Sequence, residues 1–428
     1  MKLLRAHILH TPKDPFEVPD ALVSFEDGAL IVQDDVIVAV GAYDELAGRY
    51  PDAEIVDERG AFVLPGLVDT HVHFPQVPVL GGMGLRLLEW LDTRTLPEEM
   101  KFADAEYARE QARIFLKLLA KNGTTTALVF GAHFKDAVDA LFAEASASGL
   151  RITTGLVVGD RLLKDALHTT PERAYQENRE LIERWHDCGR LRYAVTPRFS
   201  LSCTNDLLAV CGKLLTEHPD VFFTSHINEQ LEEIDTVLEL FPAAQSYLET
   251  YTTHGLVGER SVFAHNVHVT DDELSALAQS GSSVAHCPSS NMFIGSGLFS
   301  LRRHLDAGVK VALGSDVGGG TGFSLFKEGL NAYQVQMLQA DGLRLSAAQL
   351  LYLATLGGAK ALGLAGQIGD FSPGKQADFV MLRPAANSTL EATLQAQSQA
   401  SNKLAAVFTL AREDSVQDVW VAGKSVLA

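Results

Sequence analysis

The chain has 428 residues, 46% of them hydrophobic, which is enough to bury a large core, and barrel folds often run past about 250 residues as one unit. Its 54 acidic residues against 35 basic ones give a formal net charge of −19, which argues against nonspecific binding to nucleic acid or an anionic membrane, since both reward clustered Lys and Arg. No apolar run approaches the roughly 18 residues of a membrane span, Met1 to Leu22 lack a signal-peptide layout, and Cys188, Cys203, Cys211 and Cys287 form no C-x-x-C pair. The expectation is a cytoplasmic protein with reduced thiols, in which any metal is held by His and carboxylate.

The first sixty residues read as short strands. "ALVSFEDGALIVQDDVIVAVG" alternates β-formers with Glu-Asp-Gly and Asp-Asp turn signals, predicting a meander of hairpins. From there the texture becomes apolar strand followed by amphipathic helix, repeatedly. Eight strands are predicted: Phe62–Thr70, Thr124–Phe130, Ile152–Val158, Tyr193–Thr196, Val221–His226, Val262–His265, Ser283–His286 and Val309–Asp316. Helical segments lie between most of them, for example "EYAREQARIFLKLLAKNG", stopping at Gly123 as a C-cap would. Eight such alternations point to an α/β fold, a (β/α)₈ TIM-type barrel. The chain end returns to short strands in "ADFVMLRP", "LAAVFTLA" and "VQDVWVAGKSVL", with "QAQSQASN" as a loop. Both ends are therefore expected to pair into a small β-sandwich domain. The expected division is 1–64 for its first part, 65–370 for the barrel and 371–428 for its completion. "GSGLFS" and "GSDVGGGTG" lack the partners of a dinucleotide loop or P-loop, and read as flexible active-site loops.

Chemistry enters at "LPGLVDTHVHFPQ". Side chains two apart on a strand share a face, so His71 and His73 point together, and at the end of a first barrel strand that face is the mouth. Taken alone, H-x-H fits a metal pair or two satisfied structural histidines equally well. The other strand ends add weight: His226 closes "VFFTSH", His265 closes "SVFAH" and Asp316 closes "VALGSD". His7, His10, His133, His168, His186, His218, His254 and His304 read as ordinary loop or helix histidines, and His286 and His268 as supporting or structural ones. Three histidines and a carboxylate suit a divalent ion of borderline softness, zinc first and iron second, which can lower the pKa of a water to about 7 and supply a hydroxide nucleophile. Glu229, three residues after His226 in "HINE", reads either as a general acid/base over the same pocket or as a first-turn carboxylate that favours a helix dipole.

"PGLVDTHVH", "HINE", "VFAH" and "LGSD", in that order, resemble the amidohydrolase superfamily in its mononuclear deaminase branch. Strand four ends "AVTPRF" with no lysine for a second metal, which favours one ion and deamination. Within the branch the chain is similar to the guanine deaminase family over nearly its whole length, through "DTHVHFPQ", "LLEWLDTRTLPEE", "NGTTTALVFG", "TPRFS", "HINEQLEE", "VFAHNVH", "CPSSNMFIGSGLF", "LGSDVGGGTGFS" and "YLATLGGAKALGL". The resemblance implies one zinc per chain on His71, His73, His226 and Asp316, with iron as the alternative. It also implies a purine base, guanine, bordered by His73, hydrogen-bonded by Gln76 and Arg198 and packed by Phe199. Asp316 would take a proton from the water, His265 would orient the hydroxide, and Glu229 would protonate the ring nitrogen. A homodimer is implied too. The residues alone leave milder options open: Gln76 capping a loop, Arg198 paired with a carboxylate, Phe199 in the core. Glu89 and Trp90 fall in a segment that covers the pocket in this family, while Leu87, Leu88 and Leu91 fit the buried side of a helix.

Overall fold

A computed structural model describes residues 1–427. The chain begins with β1 (Lys2–His10), β2 (Val23–Gln33), β3 (Val36–Ala42) and β4 (Glu54–Pro65), and ends with β13 (Phe379–Leu382), β14 (Val416–Val421) and β15 (Lys424–Ser425). The two ends do pair, but as one seven-stranded mixed sheet ordered β15-β14-β13-β4-β1-β2-β3. The seam joins β13 antiparallel to β4, with Phe379 opposite Pro65. Its two faces bury separate apolar clusters, Ile8, Leu30, Val63 and Phe379 on one and Leu3, Ile31 and Leu46 on the other, as the two-residue alternation of strands requires.

Two details of the ends depart from the expectation. Glu26-Asp27-Gly28 makes no hairpin turn: β2 runs through it, and the pairing slips from Ala6 opposite Gly28 to Ile8 opposite Phe25. It is a β-bulge, and a side chain at Gly28 would bring its Cβ to 2.7 Å from that of Phe25. "LAAVFTLA" is part of a helix, Ala400–Leu410, with Phe408 packed edge-on against Phe326 at 5.5 Å. A second helix, Thr389–Ala396, precedes it, so "QAQSQASN" spans a helix-to-helix break.

The barrel comprises β5 (Leu67–His73), β6 (Thr124–Phe130), β7 (Arg151–Gly155), β8 (Leu191–Pro197), β9 (Phe222–Ile227), β10 (Ser261–His265), β11 (Ser283–His286) and β12 (Lys310–Leu313). They lie side by side in chain order, with the two-residue strand Val157–Val158 pairing beside β8. The predicted first strand straddles a break at Gly66, where an added Cβ would lie 2.2 Å from Thr125 Oγ1. Closure between last and first strands comes from Asp316 N donating to His71 O (2.8 Å) and Thr70 Oγ1 donating to Leu313 O (2.9 Å). Ser315 N also donates to Asp69 Oδ1 (3.0 Å).

Inside, Val68, Leu128, Ala194, Phe222, Val262 and Ala285, one from each of six strands, form an apolar layer. His226 stands four residues beyond Phe222 on the same face, so the layer floors the mouth. Outside, the helix Ala105–Lys121 shows how the strands are covered. Asp104 caps its first N–H groups, Ala108, Ala112, Phe115 and Leu119 bury one stripe, and Gly123 at φ 85° turns the chain into β6.

Candidate active site

At the mouth, the strand ends bring together every histidine and carboxylate predicted there. His73 Nε2 lies 3.1 Å from His226 Nε2 and 3.2 Å from Asp316 Oδ1, and His71 Nε2 lies 3.3 Å from the same oxygen. His265 Nε2 stands between two carboxylates, 3.8 Å from Asp316 Oδ2 and 3.6 Å from Glu229 Oε2. All of these groups are buried. The backbone carries strain where they emerge: Asn228, His265, Asn266 and Asp316 all have φ between 48° and 71°, a region most side chains avoid unless the surroundings enforce it.

The electrostatics match a cation. Burial holds His71 and His226 below their ordinary values and brings His73 down to about 4, so the rings are neutral with lone pairs to give. Burial works against the Asp316 carboxylate too, but the ring nitrogens of His71 and His73 outweigh it and hold the group ionised. His71 Nδ1 has no partner and its Nε2 has only the 3.3 Å contact with Asp316 Oδ1, which is not a hydrogen bond in geometry, a state that is costly when buried. Ligand atoms 2.0–2.2 Å from a tetrahedral ion lie about 3.3–3.6 Å apart, near the 3.1–3.3 Å edges seen here. The residues therefore fit a metal ion of the zinc type. Among the described residues, His71, His226, His265 and Asp316 each offer an atom within 4.8 Å of the others; His73 reaches the same place through its contacts with His226 and Asp316.

Supporting contacts fix the rings. His226 Nδ1 is 2.7 Å from Arg198 O and His265 Nδ1 is 2.9 Å from Asn291 Oδ1, which directs each Nε2 into the site. Glu229 precedes its helix rather than lying in the first turn, because Glu229 N and Gln230 N both donate to Glu233 Oε2 at the start of the helix Leu231–Leu240. Its own carboxylate accepts from Ser296 Oγ (3.1 Å) in the "GSGLFS" loop. Burial, then the charge of Asp316, push the Glu229 carboxyl up to about 8.

A pocket open to solvent adjoins these groups. Gln76, Arg198 and Phe199 line it, and so do Leu87, Trp90 and Leu91, whose apolar side chains form one wall. Glu89 is exposed and faces away. Gly318 in "GSDVGGGTG" sits against Gln76, at φ 117° and with room for no Cβ. His286 stacks on Phe299 at 4.3 Å, and His268 Nε2 contacts Ser296 O at 2.7 Å.

Two residues of the site were not anticipated. Glu99 is buried beneath Arg198 and Gln76: Arg198 Nη1 donates to Glu99 Oε2 (2.6 Å) and Gln76 Nε2 donates to Glu99 Oε1 (3.0 Å). His133, read as ordinary, lies 3.4 Å from Glu99 Oε2 and 3.3 Å from Arg198 Nη1. The signals were present. His133 follows β6 as closely as the other site residues follow theirs, and a buried Arg198 requires a counter-charge.

A metal-type cluster of His and Asp at the C-terminal ends of barrel strands defines a class of hydrolases, and residues 62–426 match the amidohydrolase family; the chain belongs to it. Residues 28–53 also match an imidazolonepropionase-like composite domain of bacteria. The chain is 60% identical to a probable guanine deaminase of Deinococcus radiodurans, covering 100% of this chain and 99% of that one. It is 42% identical to the guanine deaminase of Escherichia coli, covering 98% and 95%. The E. coli structure superposes with a TM-score of 0.96 at 41% identity over 99% of both chains, and that of the C. acetobutylicum guanine deaminase with bound guanine with a TM-score of 0.91 at 29% identity over 99% of both.

Proposed function

We propose that this protein is a guanine deaminase, converting guanine and water to xanthine and ammonia. The full-length likeness to guanine deaminases at 60% and 42% identity carries the substrate. In this reading His71, His73, His226 and Asp316 hold one zinc ion, with iron as the alternative. The ion, when bound, supplies a water acidified to near neutrality as nucleophile.

The chain's own groups do the rest. Arg198 and Gln76 hydrogen-bond the polar edge of the base, Phe199 packs its ring, and His73 borders it. The apolar wall of Leu87, Trp90 and Leu91 excludes bulk water. Asp316 accepts a proton from the water while His265, between the two carboxylates, orients it. Glu229 is protonated near neutral pH, so it donates to the ring nitrogen as oxygen adds to the amino-bearing carbon. The amino group then leaves as ammonia with the proton taken from water, and the hydroxyl proton left on the adduct returns to Glu229 as the carbonyl forms. The division at residues 1–64, 65–370 and 371–428, a homodimer and a cytoplasmic location complete the proposal. No helix among the described residues is long and apolar enough to cross a membrane.

The test is a panel of aminated heterocycles with the metal-loaded enzyme, following ring absorbance and ammonia release. Guanine is expected to be turned over best. Turnover of a triazine or a nucleoside with none of guanine would overturn the substrate and spare the chemistry.

A further inference from the structure

The recognition wall of the pocket contains a charge pair that the reaction itself does not use. Glu99 lies on the short helix Leu96–Glu99, next to the apolar wall, and is buried together with Arg198, Gln76 and His133. One oxygen takes the Arg198 guanidinium and the other takes the Gln76 amide. Burial disfavours this carboxylate, yet Arg198 and then His133 more than offset the penalty and keep it ionised well below the usual range. Burial holds His133 neutral, so the pair carries no net charge. Arg198 thus reaches the cavity with Nη1 already engaged, and with its remaining N–H groups aimed by a rigid partner.

We propose that Glu99 is a positioning residue that aims Arg198 and Gln76 at the base and cancels the charge of Arg198, so that the pocket selects an uncharged aminated ring over an anionic one. A lone buried guanidinium would attract any anion that fits, including an ionised oxopurine. A guanidinium locked to a carboxylate offers directional donors without the net field. This rests on the reading of the site as a base-binding pocket, and deepens it by naming what sets the charge of the preferred ring.

The variants are Glu99→Gln and Glu99→Asp, each assayed for metal content, for guanine kcat and KM, and for inhibition by xanthine at a pH where part of it is anionic. Glu99→Gln is expected to keep its metal and to hold kcat within severalfold. Its guanine KM should rise roughly ten- to hundredfold, the worth of one charge-assisted hydrogen bond, and the ratio of xanthine Ki to guanine KM should fall because Arg198 is no longer neutralised. Glu99→Asp keeps the charge but is one methylene too short to span both partners, so KM should rise with the ratio unchanged. An unchanged KM in either variant overturns the aiming role. A Glu99→Gln ratio equal to that of the unaltered protein overturns the charge role, and if that variant does not fold, a fall in the ratio for Glu99→Asp does the same. If the unaltered protein fails to turn over guanine, the functional reading falls first and separately.

Discussion

Two buried carboxylates at opposite ends of the barrel meet opposite surroundings. At the base, where the chain-end sheet abuts the start of β7, Asp378 accepts from Arg151 Nε at 2.6 Å and from Ala422 N at 2.7 Å, with Gln376 completing the grip on Arg151. At the mouth, Glu229 accepts one hydrogen bond from Ser296, faces the like charge of Asp316 and is pushed up to about 8. The base spends its buried charge on pairing, which fixes how the sheet sits on the barrel. At Glu229 the mouth leaves a buried carboxyl without a counter-charge, and such a group is one that can exchange a proton. The same division separates stability from chemistry.

The largest expected effect breaks the mouth alone. Glu229→Gln removes the proton donor and should lower kcat by about 10²–10⁴ while metal analysis shows an occupied site and the melting temperature holds. Near-normal turnover would remove Glu229 from its role. Breaking the base should do the reverse. Arg151→Ala leaves Asp378 buried with Ala422 N alone, so denaturant unfolding should show a loss of about 3 kcal/mol, with kcat per folded molecule unchanged because Arg151 lies at the far end of β7.

Glu328 sharpens the comparison with a smaller effect. It is buried near the mouth, with one oxygen accepting from Ser289 N at 2.9 Å and the other unpartnered. Burial pushes it up to about 8 from an ordinary 4.5, with Lys327 partly opposing and Asp69 adding to the shift. The folded state therefore binds the proton more tightly than the unfolded one. Its contribution is complete below about pH 4.5 and is lost as pH rises through 8. Glu328→Gln removes that loss, so its melting temperature should exceed that of the unaltered protein by a margin that grows from pH 5 to pH 9. A margin independent of pH would mean that Glu328 is ionised throughout.

The sequence by itself determined the features that follow from local rules. Two-residue alternation and the end of each apolar strand placed His71, His73, His226, His265 and Asp316 at one mouth, because a barrel strand delivers its last residues there whatever surrounds it. Capping signals placed the helix Ala105–Lys121, which Gly123 at φ 85° stops, by an equally local rule. Tertiary structure decided the rest. "LAAVFTLA" has β-forming residues yet is helical, since Phe408 finds its partner on a helix seventy or more residues earlier. Glu-Asp-Gly became a bulge because β1 supplies a partner on both sides of it. Glu99 was invisible in "LPEEM", where paired glutamates after a proline look like a solvated first turn. Only the fold brings Arg198 across 99 residues to within 2.6 Å of it. A strand end is set by its own residues; the partner of a buried charge is set by whichever distant segment the fold places opposite it.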